Sequence, residues 1–231
     1  MKKIGALLLA GMMLASVLLF SGCQSATDKQ SVDAIKKAGV ITMYTNAEFP
    51  PFEYMKGSDV VGVDVDIAKA IADSLGVKLE IKNVKFDTII ASIQSGKGSF
   101  GAAGMSVTEE REEQVDFSVK YITSKQYIIL KEDSTVTKIE DLAGKKIGIQ
   151  TGTTGDFIIS DEVNGKKDDN DKDVKGVLQD TGASVANYNN ALEASQALMS
   201  GKIDAVVIDK DVYKRQHFVL RAYIRGAKAP S

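Results

Sequence analysis

Short apolar strand patterns alternate with helical patterns over most of this 231-residue chain. The predicted strands cover residues 39–45, 77–81, 99–105, 127–130, 146–150, 184–188 and 203–208. Between them, apolar residues at helical spacing predict helices over 66–75, 87–95, 139–143 and 190–200. The first of these helices rests on Ile67, Ile71 and Leu75. Strands that alternate with helices form parallel sheets covered by helices on both faces. The sequence therefore predicts an α/β fold.

A further short helix is predicted to begin after Thr108. Threonine is a good N-cap, and Glu109 and Glu110 suit the positive end of a helix dipole. Arg111 then lies in the first turn, so its head can reach back toward the preceding loop. Taken by its charge alone, Arg111 is equally explained as a surface arginine among glutamates.

The N-terminus has the parts of an export signal. Lys2 and Lys3 precede an apolar stretch over 4–20, and small residues lead to Cys23, the only cysteine. This arrangement resembles a bacterial lipobox, which implies a lipoprotein signal peptide over 1–22 and a lipid on Cys23. The polar residues that follow predict a tether over 23–37. The alternative is a single membrane-spanning helix with an unrelated cysteine.

Composition and motifs exclude several classes of function. The net charge is −2, which gives no reason to expect a nucleic-acid partner. Only His217 is available as a histidine, and no catalytic motif, metal-ligand set or phosphate-binding loop occurs. The charged run over 166–173 predicts a solvated loop, and its spacing lacks the glycine and the final glutamate of a calcium-binding loop. We therefore expect no metal and no cofactor.

Four segments together resemble the polar amino-acid-binding proteins of bacterial ABC importers. They are TNAEFPPFEY (45–54), GVDVDIAKAIA (62–72), AAGMSVTEEREEQVDFS (102–118) and IGIQTGTTGDF (147–157), and GKIDAVVID (201–209) supports them. The resemblance implies a two-lobed periplasmic-binding-protein type II-like fold with a hinge near 121–126. It places the first lobe over 38–122 and the second over 123–212. It also implies a non-enzymatic, monomeric protein that captures a free amino acid and docks on the ABC permease. With the lipobox at Cys23, we expect this protein to be lipid-anchored on the extracytoplasmic side of the membrane.

A free amino acid is a zwitterion, so its site needs a fixed cation, a fixed anion and a pocket for the side chain. A guanidinium can grip a carboxylate with parallel hydrogen bonds. The resemblance assigns the ligand carboxylate to Arg111 and the ligand ammonium to Asp209. It matches further ligand contacts to Asn46, Phe49, Phe86, Gly104, Ser106, Thr153 and Thr154. Gly104 would let the ligand approach the backbone.

Several of these residues also have an ordinary structural explanation. Thr153, Thr154 and Asp209 could cap helices, whereas Phe49 and Phe86 could belong to the core. Asn46 occupies a position that is often Asp in the family, and a neutral amide there weakens the case for a strongly cationic ligand.

The sequence allows more than one interpretation of the C-terminal region and of the function. From about Val212 the resemblance fails, so the basic tail over 213–231 predicts that the C-terminal part of the fold is missing. A dehydratase of the prephenate or arogenate type on the same scaffold is the enzymatic alternative. It needs a general acid, for which Glu48 and Glu53 are the candidates. The sensor module of a receptor is a third alternative.

Overall fold

The computed structural model describes residues 30–210 and the backbone of residues 220–224. The predicted signal peptide and Cys23 lie outside the described residues, as does most of the predicted tail. In chain order the elements are α1 (Val32–Ala38), β1 (Val40–Thr45), β2 (Glu48–Phe49), β3 (Glu53–Lys56), β4 (Asp59–Val61), α2 (Val63–Leu75), β5 (Lys78–Asn83), a 3-10 turn (Phe86–Thr88), α3 (Ile89–Gln94), β6 (Phe100–Gly101), α4 (Glu109–Glu112), β7 (Gln126–Lys131), a 3-10 turn (Ile139–Leu142), β8 (Lys146–Gln150), α5 (Thr154–Asn164), β9 (Lys166–Lys167), β10 (Asp173–Val174), β11 (Ser184–Tyr188), α6 (Ala191–Met199), β12 (Ala205–Asp209) and β13 (Leu220–Ile224).

The first lobe is built on a parallel three-stranded sheet in the order β5-β1-β6. Alternate residues of the central strand β1 are buried, including Ile41 and Met43. Met43 packs in one core cluster with Val65 and Ala68 of α2. This is the parallel arrangement that the alternation predicts.

Helix α2 faces the sheet with a different side from the one its isoleucines suggest. Val65, Ala68 and Ala72 are buried, whereas Ile67 and Ile71 are 40% and 37% exposed. The spacing of four residues identified the helix correctly but did not identify its buried face. Small residues let α2 lie close to the sheet, so the alanine side is the one that packs.

A small antiparallel sheet in the order β2-β3-β4 stands beside the parallel one. The alternation of strands and helices did not predict it, because its strands are two to four residues long. It carries Phe49 and Glu53, which both line the cavity described below. The segment over 45–54 that resembles the family therefore contains β2 and the start of β3.

The second lobe is built on a five-stranded sheet in the order β11-β8-β12-β7-β13. Strands β11, β8 and β12 are parallel, as predicted, but β7 is antiparallel to both β12 and β13. The expectation of purely parallel sheets is wrong here. No helix precedes β7 within its lobe, because it follows directly on the segment over 113–125 that crosses from the first lobe. The second lobe is therefore a mixed sheet.

Both faces of the second sheet are covered. One core cluster joins Ile129 and Val206 to Ala194 and Leu198 of α6, and the other joins Ile147 and Val207 to Ile159 of α5. The first lobe contacts the second sheet on its α6 side, since Phe49 of β2 packs against that core cluster.

Two predicted loops contain regular structure. The predicted tether over 23–37 overlaps α1, which Ser31 caps and whose Ile35 is buried against the first lobe. The charged loop over 166–173 contains the short antiparallel pair β9–β10, and its charged side chains are exposed as expected. No helix within residues 30–210 is long and apolar enough to cross a membrane.

Candidate functional site

All of the predicted ligand-binding residues line one cavity between the two lobes. They are Asn46, Phe49, Phe86, Gly104, Ser106, Arg111, Thr153, Thr154 and Asp209. Further residues that the sequence did not assign to binding complete the lining, namely Glu48, Glu53, Ala103, Gln150, Ala191 and Ile208. The accessible volume is about 40 Å³, which leaves space for a few water molecules. In this conformation the lobes are therefore close together.

Arg111 is the buried cation of the cavity. Helix α4 begins as predicted, because the Thr108 hydroxyl accepts the backbone N–H of Arg111 at 3.4 Å. Only 3% of Arg111 is exposed. Its Nη1 donates to the carbonyl oxygen of Ser106 at 2.6 Å, and its Nη2 donates to the carbonyl oxygen of Gly152 at 2.8 Å. The side chain does reach back to the preceding loop, and the explanation as a surface arginine is wrong.

Two aromatic rings flank the guanidinium. Its central carbon lies 5.7 Å from the ring centre of Phe86 and 5.3 Å from that of Phe157, which is within the range of a cation–π interaction. Burial lowers the pKa of Arg111, and the nearby carboxylates of Glu110 and Asp209 oppose that shift. Arginine stays protonated under such conditions. Arg111 therefore presents a permanent positive charge that has been partly removed from water.

The second lobe contributes the end of β12 and the start of α5. Asp209 is the last residue of β12 and acts electrostatically on Arg111. Thr153 caps α5: its hydroxyl donates to the carbonyl oxygen of Gln150 at 2.8 Å and accepts the N–H of Asp156 at 3.3 Å. Thr154 is the first residue of that helix. The capping role expected for Thr153 is confirmed, and the positive end of α5 lies at the cavity.

The structure gives a packing reason for the small size of Gly104, in addition to the predicted approach of a ligand. Its φ angle is +55°, and a Cβ atom there would lie 2.6 Å from Cδ1 of Phe49. The Phe49 ring therefore packs directly against the Gly104 backbone in the cavity wall. That ring also contacts Phe52, with ring centres 5.2 Å apart. The glycine permits both a left-handed turn and the packing of the cavity wall.

Asn46 and Gln150 connect the lobes at the same cavity. The Asn46 Nδ2 donates to the carbonyl oxygen of Val84 at 2.9 Å, and its Oδ1 accepts from the Gln150 Nε2 at 3.0 Å. Both ends of the Asn46 amide are therefore engaged. Gln150 was missed as a site residue, although its place between a predicted strand and the glycine turn at 152 is a signal for it.

The family described as bacterial extracellular solute-binding proteins, family 3, matches residues 41–206, which is most of the chain. The chain belongs to this family. Its cavity between two lobes and its mixed second sheet are thus those of a solute-binding protein.

Named relatives of this solute-binding protein bind amino acids. It is 28% identical over 219 residues to the arginine-binding extracellular protein ArtP of Bacillus subtilis (strain 168), covering 95% of this chain and 79% of the relative. It is 33% identical over 173 residues to the ABC transporter arginine-binding protein 1 of Escherichia coli (strain K12), covering 74% of this chain and 64% of the relative.

The solute-binding protein also resembles a solved structure described as an ancestral amino acid-binding protein, AncCDT-1, a precursor of cyclohexadienyl dehydratase. The TM-score is 0.70 at 32% sequence identity, and the match covers 84% of this chain and 80% of that chain. This likeness agrees with the two-lobed α/β fold implied by the sequence.

Two glutamates that line the cavity of the solute-binding protein have raised pKa values. Burial raises the pKa of Glu48, and a hydrogen bond from Asn190 opposes the shift. Burial and the neighbouring Asp64 raise the pKa of Glu53 to about 11. Glu53 is therefore a neutral acid at physiological pH.

Within residues 30–210, no group of histidine, cysteine or acidic side chains is arranged to hold a metal ion.

Proposed function

We propose that this solute-binding protein captures one free amino acid outside the cytoplasm and delivers it to the permease of an ABC transporter. The observation that carries the proposal is the presence of a buried cation, Arg111, and a carboxylate, Asp209, in one cavity between two lobes. An α-amino acid carries the complementary pair of charges on two groups attached to the same carbon atom. The names of the relatives from Bacillus subtilis and Escherichia coli support the same ligand class and, for the second, the same kind of transporter.

Each end of the ligand has a suitable partner. Two backbone carbonyls already accept hydrogen bonds from Arg111, yet a guanidinium has further N–H groups that can donate to a carboxylate. The N-terminus of α5 at Thr154 adds backbone N–H groups and a favourable dipole. Asp209 accepts the ligand ammonium in this scheme. The ligand side chain then points toward the Phe49 ring and toward the side-chain amides of Asn46 and Gln150, which suit a polar amino acid.

Binding and release follow from motion of the lobes. In this proposal the lobes extend over 38–122 and 123–212 and open about the crossing segment near 121–126. The bonds from Arg111 to Gly152 and from Gln150 to Asn46 form only when the lobes are together. An amino acid that enters the open cleft replaces water at these groups, and closure then buries it. The closed form docks on the permease.

Attachment to the membrane is a separate part of the proposal. A lipid on Cys23 would hold a monomeric binding protein at the outer face of the cytoplasmic membrane. The change Cys23→Ser should abolish incorporation of radiolabelled palmitate. If the wild-type chain takes up no palmitate, the N-terminal segment is an ordinary signal or a membrane helix.

The function is tested by screening the free amino acids for thermal stabilisation of the protein. A ligand that binds only the folded state raises the melting temperature. We expect one polar amino acid, or a small related group, to do so. If none of them shifts the melting temperature, amino-acid capture is wrong.

A dehydratase is the second candidate, and Glu53 favours it. Its residue lines the cavity and its carboxyl group carries a proton that a general acid could donate, although both carboxyl oxygens are buried in this conformation. The similar solved structure AncCDT-1 is itself described as an amino acid-binding protein and as a precursor of cyclohexadienyl dehydratase, so it shows only that such an enzyme can arise on this scaffold. Turnover of prephenate or arogenate by the wild-type protein, with loss of turnover in Glu53→Gln, would establish this function instead.

A further inference from the structure

Three side chains from separate parts of the first lobe meet beside the cavity. Glu53 comes from β3, Asp64 from the first turn of α2, and Tyr121 from the crossing segment over 113–125. The three residues are called the acid cluster below. Glu53 and Asp64 are 0% and 1% exposed. Neither acid is needed to hold an amino acid by its charges, so their burial requires another explanation.

Asp64 is the centre of the acid cluster. Its Oδ2 accepts the backbone N–H of Gly104 at 2.9 Å. The Tyr121 hydroxyl donates to the same carboxylate, 2.9 Å from Oδ1 and 3.0 Å from Oδ2. Gly104 lines the cavity, whereas Tyr121 belongs to the connection between the lobes. One carboxylate therefore joins the cavity wall to the crossing segment.

A proton completes the acid cluster. Both carboxyl oxygens of Glu53 are buried, and neither has a hydrogen-bond partner among the described residues. Asp64 lies close enough to raise the pKa of Glu53. Two adjacent carboxyl groups in a buried site do not both ionise, and a shared proton gives them the missing hydrogen bond. Arg111, Glu48 and Asp209 are the other charged groups around the cavity that Glu53 lines.

Tyr121 is the anchor of a segment that is otherwise weakly held. The crossing segment between α4 and β7 has no regular secondary structure after residue 115, and Val119 is 88% exposed. Half of Tyr121 is exposed as well, yet its hydroxyl is bound to Asp64. Burial and Asp64 raise the pKa of Tyr121, so this hydroxyl remains a donor.

We propose that Asp64 is a positioning residue that, with Glu53 and Tyr121, couples the Gly104 side of the cavity to the crossing segment between the lobes. Displacement of Gly104 or Glu53 by a ligand shifts the carboxylate to which Tyr121 is tied. The crossing segment thereby responds to occupancy of the cavity. The coupling between Gly104 and Tyr121 exists without ligand, and only its use during binding rests on the proposed function.

Hydrogen–deuterium exchange of the full chain tests the coupling. The change Tyr121→Phe removes one hydroxyl, and Tyr54→Phe on β3, outside the acid cluster, is the matched control. In ligand-free protein we expect exchange of the peptide that contains Gly104 to be about two- to tenfold faster in Tyr121→Phe, the range for loss of one hydrogen bond. Asp64→Asn should accelerate exchange both at Gly104 and in the crossing segment. If Tyr121→Phe and Tyr54→Phe exchange alike at Gly104, the coupling is wrong.

A second arm adds L-arginine as the probe. We expect it to slow exchange of both peptides in the wild type, but to slow only the Gly104 peptide in Tyr121→Phe. Equal protection of the crossing segment in both proteins would overturn the response to occupancy. If arginine and the other amino acids alter no peptide of the wild type, the proposed function fails, and the ligand-free comparison still decides the coupling.

Discussion

The Nη2 of Arg111 lies 2.8 Å from the carbonyl oxygen of Gly152 and donates a hydrogen bond to it, although the two residues belong to different lobes. Gly152 follows β8, and Arg111 lies in α4. The residue that the resemblance assigns to a ligand carboxylate is thus also a contact between the lobes. Binding and closure share this side chain, so its substitution should affect both.

The change Arg111→Lys should weaken amino-acid binding by about 1.5–3 kcal/mol, the scale of a charge-assisted hydrogen bond. Lysine keeps the charge but cannot place parallel N–H groups toward a carboxylate while it also bonds to Gly152. Titration calorimetry measures the loss, and circular dichroism confirms that the variant is folded. An unchanged dissociation constant would remove Arg111 from the site.

Gly104→Ala should destabilise the protein more than Gly57→Ala does. Both glycines have positive φ, +55° and +65°, so both alanines carry the cost of a left-handed residue, about 1–2 kcal/mol. Only at Gly104 would the new Cβ meet the Phe49 ring, since nothing lies within 4 Å at Gly57. We expect an additional loss of about 1–3 kcal/mol in the free energy of unfolding. Equal losses in denaturant unfolding would show that the ring moves freely.

Glu53→Gln should remove a dependence of stability on pH. Because the folded-state pKa of Glu53 is raised from 4.5 to about 11, folding takes up a proton between these values. Stability linked to Glu53 is therefore complete below pH 4.5 and falls as the pH rises, by up to about 1.4 kcal/mol per pH unit. Glutamine mimics the neutral acid and does not titrate. The free energy of unfolding of the variant should therefore rise relative to that of the wild type as the pH increases from about 5 to about 9.

The control for this pH series is Glu80→Gln, which alters an exposed glutamate paired with Lys82. Denaturant unfolding at several pH values measures each free energy of unfolding. Parallel pH curves for the wild type and Glu53→Gln would mean that Glu53 is ionised in the folded protein.

Much of the fold could be predicted because its strands and helix caps depend on patterns within short stretches of the sequence. The strands over 146–150 and 184–188 have the predicted bounds, and Thr108 caps its helix as expected. The buried face of α2 could not be predicted in the same way. Ile67 and Ile71 have the right period, but which face packs depends on how closely the helix approaches β1. The antiparallel direction of β7 likewise depends on a crossing between lobes rather than on local pattern.

The site could be predicted where a residue type has a definite chemistry. An arginine and an aspartate for a zwitterion follow from charge, and the resemblance selected Arg111 and Asp209 among many alternatives. Gln150 and Asp64 act through partners 104 and 40 positions away in the sequence. No short-range pattern indicates such pairs, because each forms only when distant segments meet in the fold.

Recognition of a zwitterion is the central claim, and calorimetric titration with matched compounds tests it most directly. The amino acid that stabilises the protein most is compared with two analogues. Its decarboxylated amine has no carboxylate for Arg111, and its N-acetyl derivative has no positive charge for Asp209. We predict that the amino acid saturates one site per chain and that each analogue binds at least about tenfold more weakly, as expected for the loss of a charge-assisted hydrogen bond. An amine or an acetylated compound that binds as tightly as the amino acid would contradict the account.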